Sequence, residues 1–390
     1  MHNRVVIIGI GAISAAGTGV SNSFHALLNG FDGLKPLSLF DSKLKTVPLC
    51  AQVNSIPYEH SKTPRSLSLA LSAVSEALEA IPDRTGFRLG VIAATSVGGI
   101  TTTERLYERI ISSGNYCVPS EELAVHEPSV LASEICARAG GCGFHTLSTA
   151  CSTGLHAIGA AKRLIDKGEY DLCLAVGSDA LSLLTVRGFA SLTLLDPQGC
   201  RPFDKRRAGI SLGEGAAAMI LASEKTAAKL NCKPLAVVSG WGASADHYHM
   251  TAPHPEGNGA YRAIMSALGE AKLDAENIDF VITHGTGTPD NDKAEIIALK
   301  KVFGCLPPFC SMKRTFGHML AASGILEAIF GVKCINEEIV PATAGFEMVD
   351  DEIGISPSPN VKQPIIHILK NSFGFGGNNA ALILSHAEEF

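Results

Sequence analysis

Two passages in the first half of this chain return in its second, the first of them with both its glycines in register. VVIIGIGA at Val5–Ala12 is echoed by AVVSGWGA ending at Ala243, and GEGAAAMILAS at Gly213–Ser223 is echoed by GGNNAALILS at Gly376–Ser385. Each half therefore opens with a strand-turn and closes with a glycine turn running into a strand. Two copies of one unit facing each other are the simplest architecture that explains both echoes. The repeat begins near residue 235, so the expected halves are 1–234 and 235–390. A chain of 390 residues also exceeds a usual single core, which agrees with one large α/β fold built from two halves.

Composition narrows the function classes. Apolar residues make up 46% and charged residues 18%, which fills a large interior and leaves little for disorder. The net charge of -6, with no long basic run, argues against nucleic acid as the main partner. Eleven cysteines, odd in number and scattered, show no C-x-x-C pair and no His/Cys cluster at zinc spacing. They predict free thiols in a reducing cytoplasm and no metal site. The run Val5 to Ala16 has the apolarity of a signal-peptide core, but Gly9 and Gly11 interrupt it, Gly17 follows, and it reads as a buried strand. No stretch approaches a membrane span. The same opening invites a dinucleotide-binding reading and fails it: Ser14 occupies the third glycine position of G-x-G-x-x-G, and no acidic ribose partner follows on a clear second strand.

Periodicity places the remaining motifs. Leu37 to Pro64 reads as irregular, Ser66–Ile81 as a helix and Leu89–Ser96 as a strand ending in a Val97-Gly98-Gly99 turn. Helices follow at Thr101–Ser112 and Ser129–Ala139, and a buried strand at Asp171–Gly177. Residues up to Thr149 predict a short buried strand. After Cys151, the run Leu155, Ile158, Ala161, Leu164 and Ile165 has helical spacing, so Cys151 sits where a strand turns into a helix. The unpaired N–H groups and positive dipole end of a helix bias a thiol there towards thiolate and can hold an oxyanion. In the second half Phe280–Thr283 is a strand delivering His284 before Gly285-Thr286-Gly287-Thr288. Lys313 and then His318, opening a helix through Leu320, Ile325, Ile329 and Phe330, form the counterpart of the Cys151 strand-helix. A two-fold arrangement brings the two starts together.

One cysteine alone is by default a small buried residue, and one histidine a hydrogen-bonded structural one. A cysteine at a helix start with two remote histidines suits a papain-like hydrolase, a thioester-forming acyltransferase or nothing catalytic. A cysteine protease needs one histidine with an orienting Asn or Asp. Two histidines and a lysine suit a reaction that parks an acyl group on sulfur and activates a second carbonyl compound as a carbanion.

TACSTG around Cys151, HGTGT from His284, the K-x-x-x-x-H pair Lys313 and His318 whose histidine is that of G-H-x-x-x-A-x-G, and SFGFGG at Ser372–Gly377 resemble the β-ketoacyl-[acyl-carrier-protein] synthases. The resemblance is to their elongating Cys-His-His branch, and the motifs keep the family's order across nearly the whole chain. It implies a thiolase-like fold of two pseudo-symmetric halves in five α/β/α/β/α layers, as a homodimer or as a heterodimer with a related subunit. It implies a decarboxylative Claisen condensation of an acyl chain with malonyl-carrier protein. Carried over position by position, Cys151 takes the acyl chain, and His284 and His318 promote decarboxylation and hold the enolate. Backbone N–H groups of Cys151 and Phe375 form the oxyanion hole. Lys313 holds the electrostatics with Glu327, and Phe373 and Phe375 gate the acyl chain. Val97 and Phe189 are expected as walls of the acyl pocket. No permanently bound cofactor is implied, the substrates riding on the phosphopantetheine of an acyl carrier protein. That carrier is acidic by resemblance, and Lys62, Arg65, Lys205, Arg206 and Arg207 are the expected docking contacts.

Asn378 stands where the family often has Thr, Phe316 where a smaller residue precedes the Gly-His, and Val53–Pro64 is shorter than in housekeeping members. These departures are expected at the gate and rim, and leave open fatty-acid elongation or a type II polyketide or polyene pathway. A thiolase would carry a second cysteine in the turn that here reads GFGG, and a Cys-His-Asn initiating synthase would carry Asn at position 318. A non-catalytic partner subunit typically loses the nucleophile, which this chain keeps.

Overall fold

The computed structural model describes residues 4–58 and 63–388. Ten strands lie along one sheet path: β1 (Val5–Ser14), β2 (Leu89–Ala94), β3 (Gly143–Leu147), β4 (Leu172–Asp179), β5 (Gly215–Ser223), β6 (Ala236–Ala245), β7 (Phe280–Ile282), β8 (Phe309–Cys310), β9 (His367–Phe373) and β10 (Asn378–Ser385). Their spatial order is β8-β7-β9-β10-β6-β1-β5-β4-β2-β3. Counted outward from the centre, each half places its first, fifth, fourth, second and third strands in that sequence. The pairing repeats too: β3/β2 and β2/β4 are parallel and β4/β5 and β5/β1 antiparallel, as are β8/β7, β7/β9, β9/β10 and β10/β6 in turn. The halves meet where β1 and β6 pair antiparallel, Val6 opposite Val237 and Ile7 opposite Ala236.

Six helices make the layers: α1 (Arg65–Leu78), α2 (Ser129–Ala139), α3 (Thr153–Asp166), α4 (Asn258–Ala271), α5 (Pro289–Phe303) and α6 (Ala321–Glu337). The strands read as continuous apolar runs because both faces are buried, and alternate residues serve different cores. In β1, Val5 and Ile7 face the inner core with α3 and α6, whereas Val6 and Ile8 face the outer core under α1 and α2. In β10, Leu382 and Leu384 point inward, and Ala381 and Ile383 pack under α4 and α5. The result is helices, sheet, a central pair of helices, sheet, helices. A helix apolar all round has to lie inside, and every residue of α6 from Ala321 to Val332 is buried.

The repeated glycines explain themselves here. A Cβ on Gly11 would lie 2.0 Å from the Ala73 carbonyl oxygen of α1, and one on Gly242 would lie 2.1 Å from that of Ala263 on α4. Gly9 and Gly240 do the same against Ala77 and Ala271 with Ala267. The G-x-G that resembles a nucleotide turn is thus a place in each half where a helix rests on bare strand backbone.

Two expectations change. The strand before Cys151 is expected to be buried, but β3 is the last strand of the path, has β2 as its one sheet neighbour among the described residues and leaves Phe144 45% exposed. Nor does His318 open a helix. A single turn, Lys313–Phe316, ends at Gly317 (φ 66), and α6 begins only at Ala321, after Leu320 at φ 47. His318 lies between, its N–H donating to the Ser211 carbonyl (2.7 Å) and its carbonyl accepting from Gly213 (3.0 Å), so its backbone hydrogen bonds go to another segment rather than to a helix.

Candidate active site

Cys151 sits two residues before α3, in a turn fixed by its own hydroxyls. Ala150 adopts φ 53, left-handed and costly for a residue with a Cβ. The Thr149 N–H donates to Thr153 Oγ1 (2.8 Å), and Ser152 Oγ donates to the Thr149 carbonyl (2.9 Å). This web holds the strained residue and so aims the sulfur.

The two central helices bring the halves' chemistry together. A Cβ on Gly154 of α3 would lie 2.6 Å from the Ala321 carbonyl and 3.2 Å from Gly324 Cα of α6, so small residues let the helix starts touch. Asp179, at the end of β4, ties the lobes. It accepts from Thr95 Oγ1 (2.7 Å) and the Ser96 and Val97 N–H groups of one half, and from the Ala321 N–H at the start of α6 in the other (2.9 Å). His284 is set by Glu295 of α5, whose two oxygens accept from the N–H groups of His284 and Gly285, both at 2.8 Å. Asp292, one turn earlier, accepts from Thr286 and Gly287 and shapes the following loop.

The outcome is one constellation. Ligating atoms of Cys151, His284 and His318 all lie within 4.8 Å of one another. The two imidazoles meet edge to face at 5.4 Å, and Phe373 stands against His284 at 5.8 Å. Ser323 Oγ, which accepts from the Met319 N–H (2.9 Å), lies 3.2 Å from His318 Nδ1. Donation of its hydroxyl proton there leaves Nε2 as the N–H, and Nε2 has no hydrogen-bond partner among the described residues. Beneath the rings Lys313, 0% exposed, is ion-paired with Glu327, and Lys370, also 0% exposed, takes the other Glu327 oxygen at 2.7 Å.

Electrostatics follow from burial. Burial, and then the charges of Lys313 and Lys370, push both histidines well below the ordinary imidazole value, so both are neutral. Burial pushes the Cys151 thiol up to about 11, against the pull of Lys313 and of the Phe375 and Cys151 N–H groups. The expected bias towards thiolate is therefore outweighed by burial, and the group rests as a thiol. Those two N–H groups point at the sulfur, where an oxyanion on an attached acyl carbon would also lie.

A cavity of about 260 Å³ opens on this centre, lined by Cys151, His284, His318, Phe189, Phe373 and Phe375, with Thr286, Thr288 and Asp246 also on its wall. Phe189 stacks on Phe375 at 5.6 Å. Val97 is not on that wall. It packs in an apolar cluster with Phe189, Leu181, Leu212 and Leu320. Phe316 is not at the rim either; it is 2% exposed and packs against Phe330 in the inner core. Asn378 does border the gate turn, its carbonyl accepting from the Gly374 N–H (2.7 Å).

The docking set changes most. Arg65 is buried, its guanidinium forked on Glu214 (2.7 and 2.8 Å) and bonded to the carbonyls of Val53, Ile56 and Pro57, so it pins the irregular segment rather than meeting a partner. Arg207 is likewise buried and paired with Asp350. Lys205 and Arg206 reach the surface but are bound to Asp351 and to Asp204 with Glu347. Lys62 lies outside the described residues. Sequence reasoning also passed over Lys370, Asp179, Asp292 and Glu295. A lysine inside the apolar run HILKNSF, and two acids three apart in the first turns after HGTGTP, were the signals available.

A mixed α/β fold of two alike halves, with a buried sulfur from one and two imidazoles from the other, defines a class of acyl-transferring condensing proteins. The chain belongs to the β-ketoacyl synthase family: residues 2–227 match the model of the beta-ketoacyl synthase N-terminal domain and residues 235–347 that of the C-terminal domain. It is 33% identical to the 3-oxoacyl-[acyl-carrier-protein] synthase 2 of Coxiella burnetii over 98% of both chains. It is 32% identical to the putative polyketide beta-ketoacyl synthase 1 of Streptomyces cyaneus, over 99% of this chain and 98% of that one. Among solved structures the ishigamide ketosynthase/chain length factor matches with a TM-score of 0.93, at 30% identity and 99% coverage of each chain. All eleven cysteines are free thiols, and among the described residues no helix is long and apolar enough to cross a membrane.

Proposed function

We propose that this protein elongates an acyl chain by decarboxylative condensation, with Cys151, His284 and His318 as its reacting groups. The observation that carries this is their convergence in one buried cavity from opposite halves of the fold. In the first step Sγ attacks the thioester of an acyl group carried on phosphopantetheine. The thiol proton passes through an imidazole to the departing pantetheine sulfur, and the N–H groups of Cys151 and Phe375 hold the oxyanion between. In the second, the N–H groups of His284 and His318 hydrogen-bond the thioester oxygen of malonyl-carrier protein. As carbon dioxide leaves, its bonding electrons become an enolate held by those donors. The enolate carbon attacks the acyl-cysteine, forming the new carbon–carbon bond as the bond to Sγ breaks, and the released thiolate takes a proton from water to restore the thiol. Neutral rings suit this role, because a neutral donor stabilises the enolate without protonating it.

The donor and extender arrive on an acyl carrier protein. Phe189, Phe373 and Phe375 form an aromatic gate on the acyl cavity, and we place a second ketosynthase-like subunit, identical or related, on the open edge of β3. In the test, purified protein whose mass in solution is read by light scattering is incubated with acyl- and malonyl-carrier proteins of short and long chain. The expected result is an assembly of at least two subunits that yields β-ketoacyl-carrier protein and carbon dioxide. Loss of both products across all donors overturns the condensation, and a monomer overturns the subunit placement.

A further inference from the structure

Lys370 lies on β9 with its side chain wholly buried and directed at the layer of charge below the two histidines. Its ammonium is 2.7 Å from Glu327 Oε2, while Lys313 holds Glu327 Oε1. It also donates to the carbonyl of Asn371 and, at 3.4 Å, to that of Thr283, the residue before His284. Asn371 in turn donates to Glu295 (3.2 Å), the carboxylate that holds the His284 backbone. Lys370 thus touches both the Lys313–Glu327 pair and the support of His284. One carboxylate shared between two ammonium groups leaves one net positive charge, sealed from water, under the rings.

We propose that Lys370 is a positioning residue of the condensation: by claiming half of Glu327 it keeps the Lys313–Glu327 pair from closing into neutrality, and the surplus charge holds His284 and His318 as neutral donors. This rests on the condensation proposed above. The other titratable groups facing the cluster are Glu295 on α5, Cys310 on β8, and Cys151 and Cys200 beside Lys313, besides the rings themselves, and burial lowers the Lys370 ammonium itself against the pull of Glu327. Glu295 is pushed up to about 7 by burial, so it cancels the surplus charge only in part near neutral pH. The surplus charge disfavours imidazolium, in keeping with the lowering that Lys370 contributes at both histidines. It also favours the anion that forms when carbon dioxide leaves.

The test uses charge arithmetic. Lys370→Met leaves Lys313 and Glu327 balanced, so both imidazoles gain protons more readily and the acid limb of the malonyl decarboxylation profile moves up by about one pH unit or more. Adding Glu327→Gln restores one net positive charge from Lys313 alone and returns the limb towards that of the unaltered protein, and Lys370→Arg keeps it in place. Residue-resolved hydrogen–deuterium exchange at the imidazole C2 position reports the same shifts without any turnover, so it separates this proposal from the condensation itself. A limb and imidazole titrations that stay put in folded Lys370→Met, or a double variant no different from the single one, overturn the positioning role. Titrations that move while the unaltered protein forms no ketoacyl product leave Lys370 as the charge-setter and overturn the condensation instead.

Discussion

Glu295 and the two histidines show how single buried groups write the pH behaviour of the site. Burial pushes the Glu295 carboxyl from 4.5 to about 7 against three hydrogen bonds that favour its ionised form. A carboxyl raised on folding binds its proton more tightly in the folded chain, so its contribution to stability is present at low pH and is lost as pH rises from 4.5 through about 7. Glu295→Gln removes this dependence while keeping a carbonyl acceptor for the His284 turn. Its melting temperature relative to the unaltered protein should therefore rise between about pH 5 and about pH 8. A difference constant across that range would contradict the assignment. At this scale the sequence was legible where a residue stood in a motif, as with Cys151, His284, His318 and Lys313. It was misleading where charge alone was read: Arg65 and Arg207 look like surface contacts until Glu214 and Asp350, 149 and 143 residues away, are seen to bury them. Such pairings depend on tertiary neighbours that no local pattern reveals.

The elements repeat their logic in both halves, and the repeat is strict where backbone meets backbone. Gly11 on β1 and Gly242 on β6 each let a helix approach to where a Cβ would overlap a carbonyl oxygen, at 2.0 and 2.1 Å. Since backbone cannot yield as a side chain can, Gly11→Ala and Gly242→Ala should each destabilise the fold by about 3 kcal/mol, measured by denaturant unfolding. Gly188, whose added Cβ would meet nothing within 4 Å and which lies within a helix, should accept alanine without loss. Equal effects at all three positions would remove the close-packing account of the echo. The echo itself was visible because glycines in register survive even when the residues between them differ. The position of β3 at an open edge was not visible, because a run of five residues carries no mark of how many neighbours it has. Nor was the loop conformation of His318, since the apolar spacing after it runs straight into α6, whereas the pairing with Ser211–Gly213 and the positive φ of Gly317 and Leu320 hold it out of the helix.

For the whole molecule, the two-fold relation of the halves is what makes a site. Set face to face, with Gly154 against Gly324 and Asp179 bonded across to Ala321, they place a sulfur from residues before 235 against two imidazoles from residues after it. In the proposed condensation acyl storage falls to one lobe and enolate formation to the other. The two should be separable by a single substitution, read in one assay that follows acyl transfer from acyl-carrier protein and carbon dioxide release from malonyl-carrier protein. Cys151→Ala is predicted to abolish the first and leave the second measurable, because His284 and His318 remain in place. Loss of both activities in a folded Cys151→Ala protein would contradict the division of labour between the lobes.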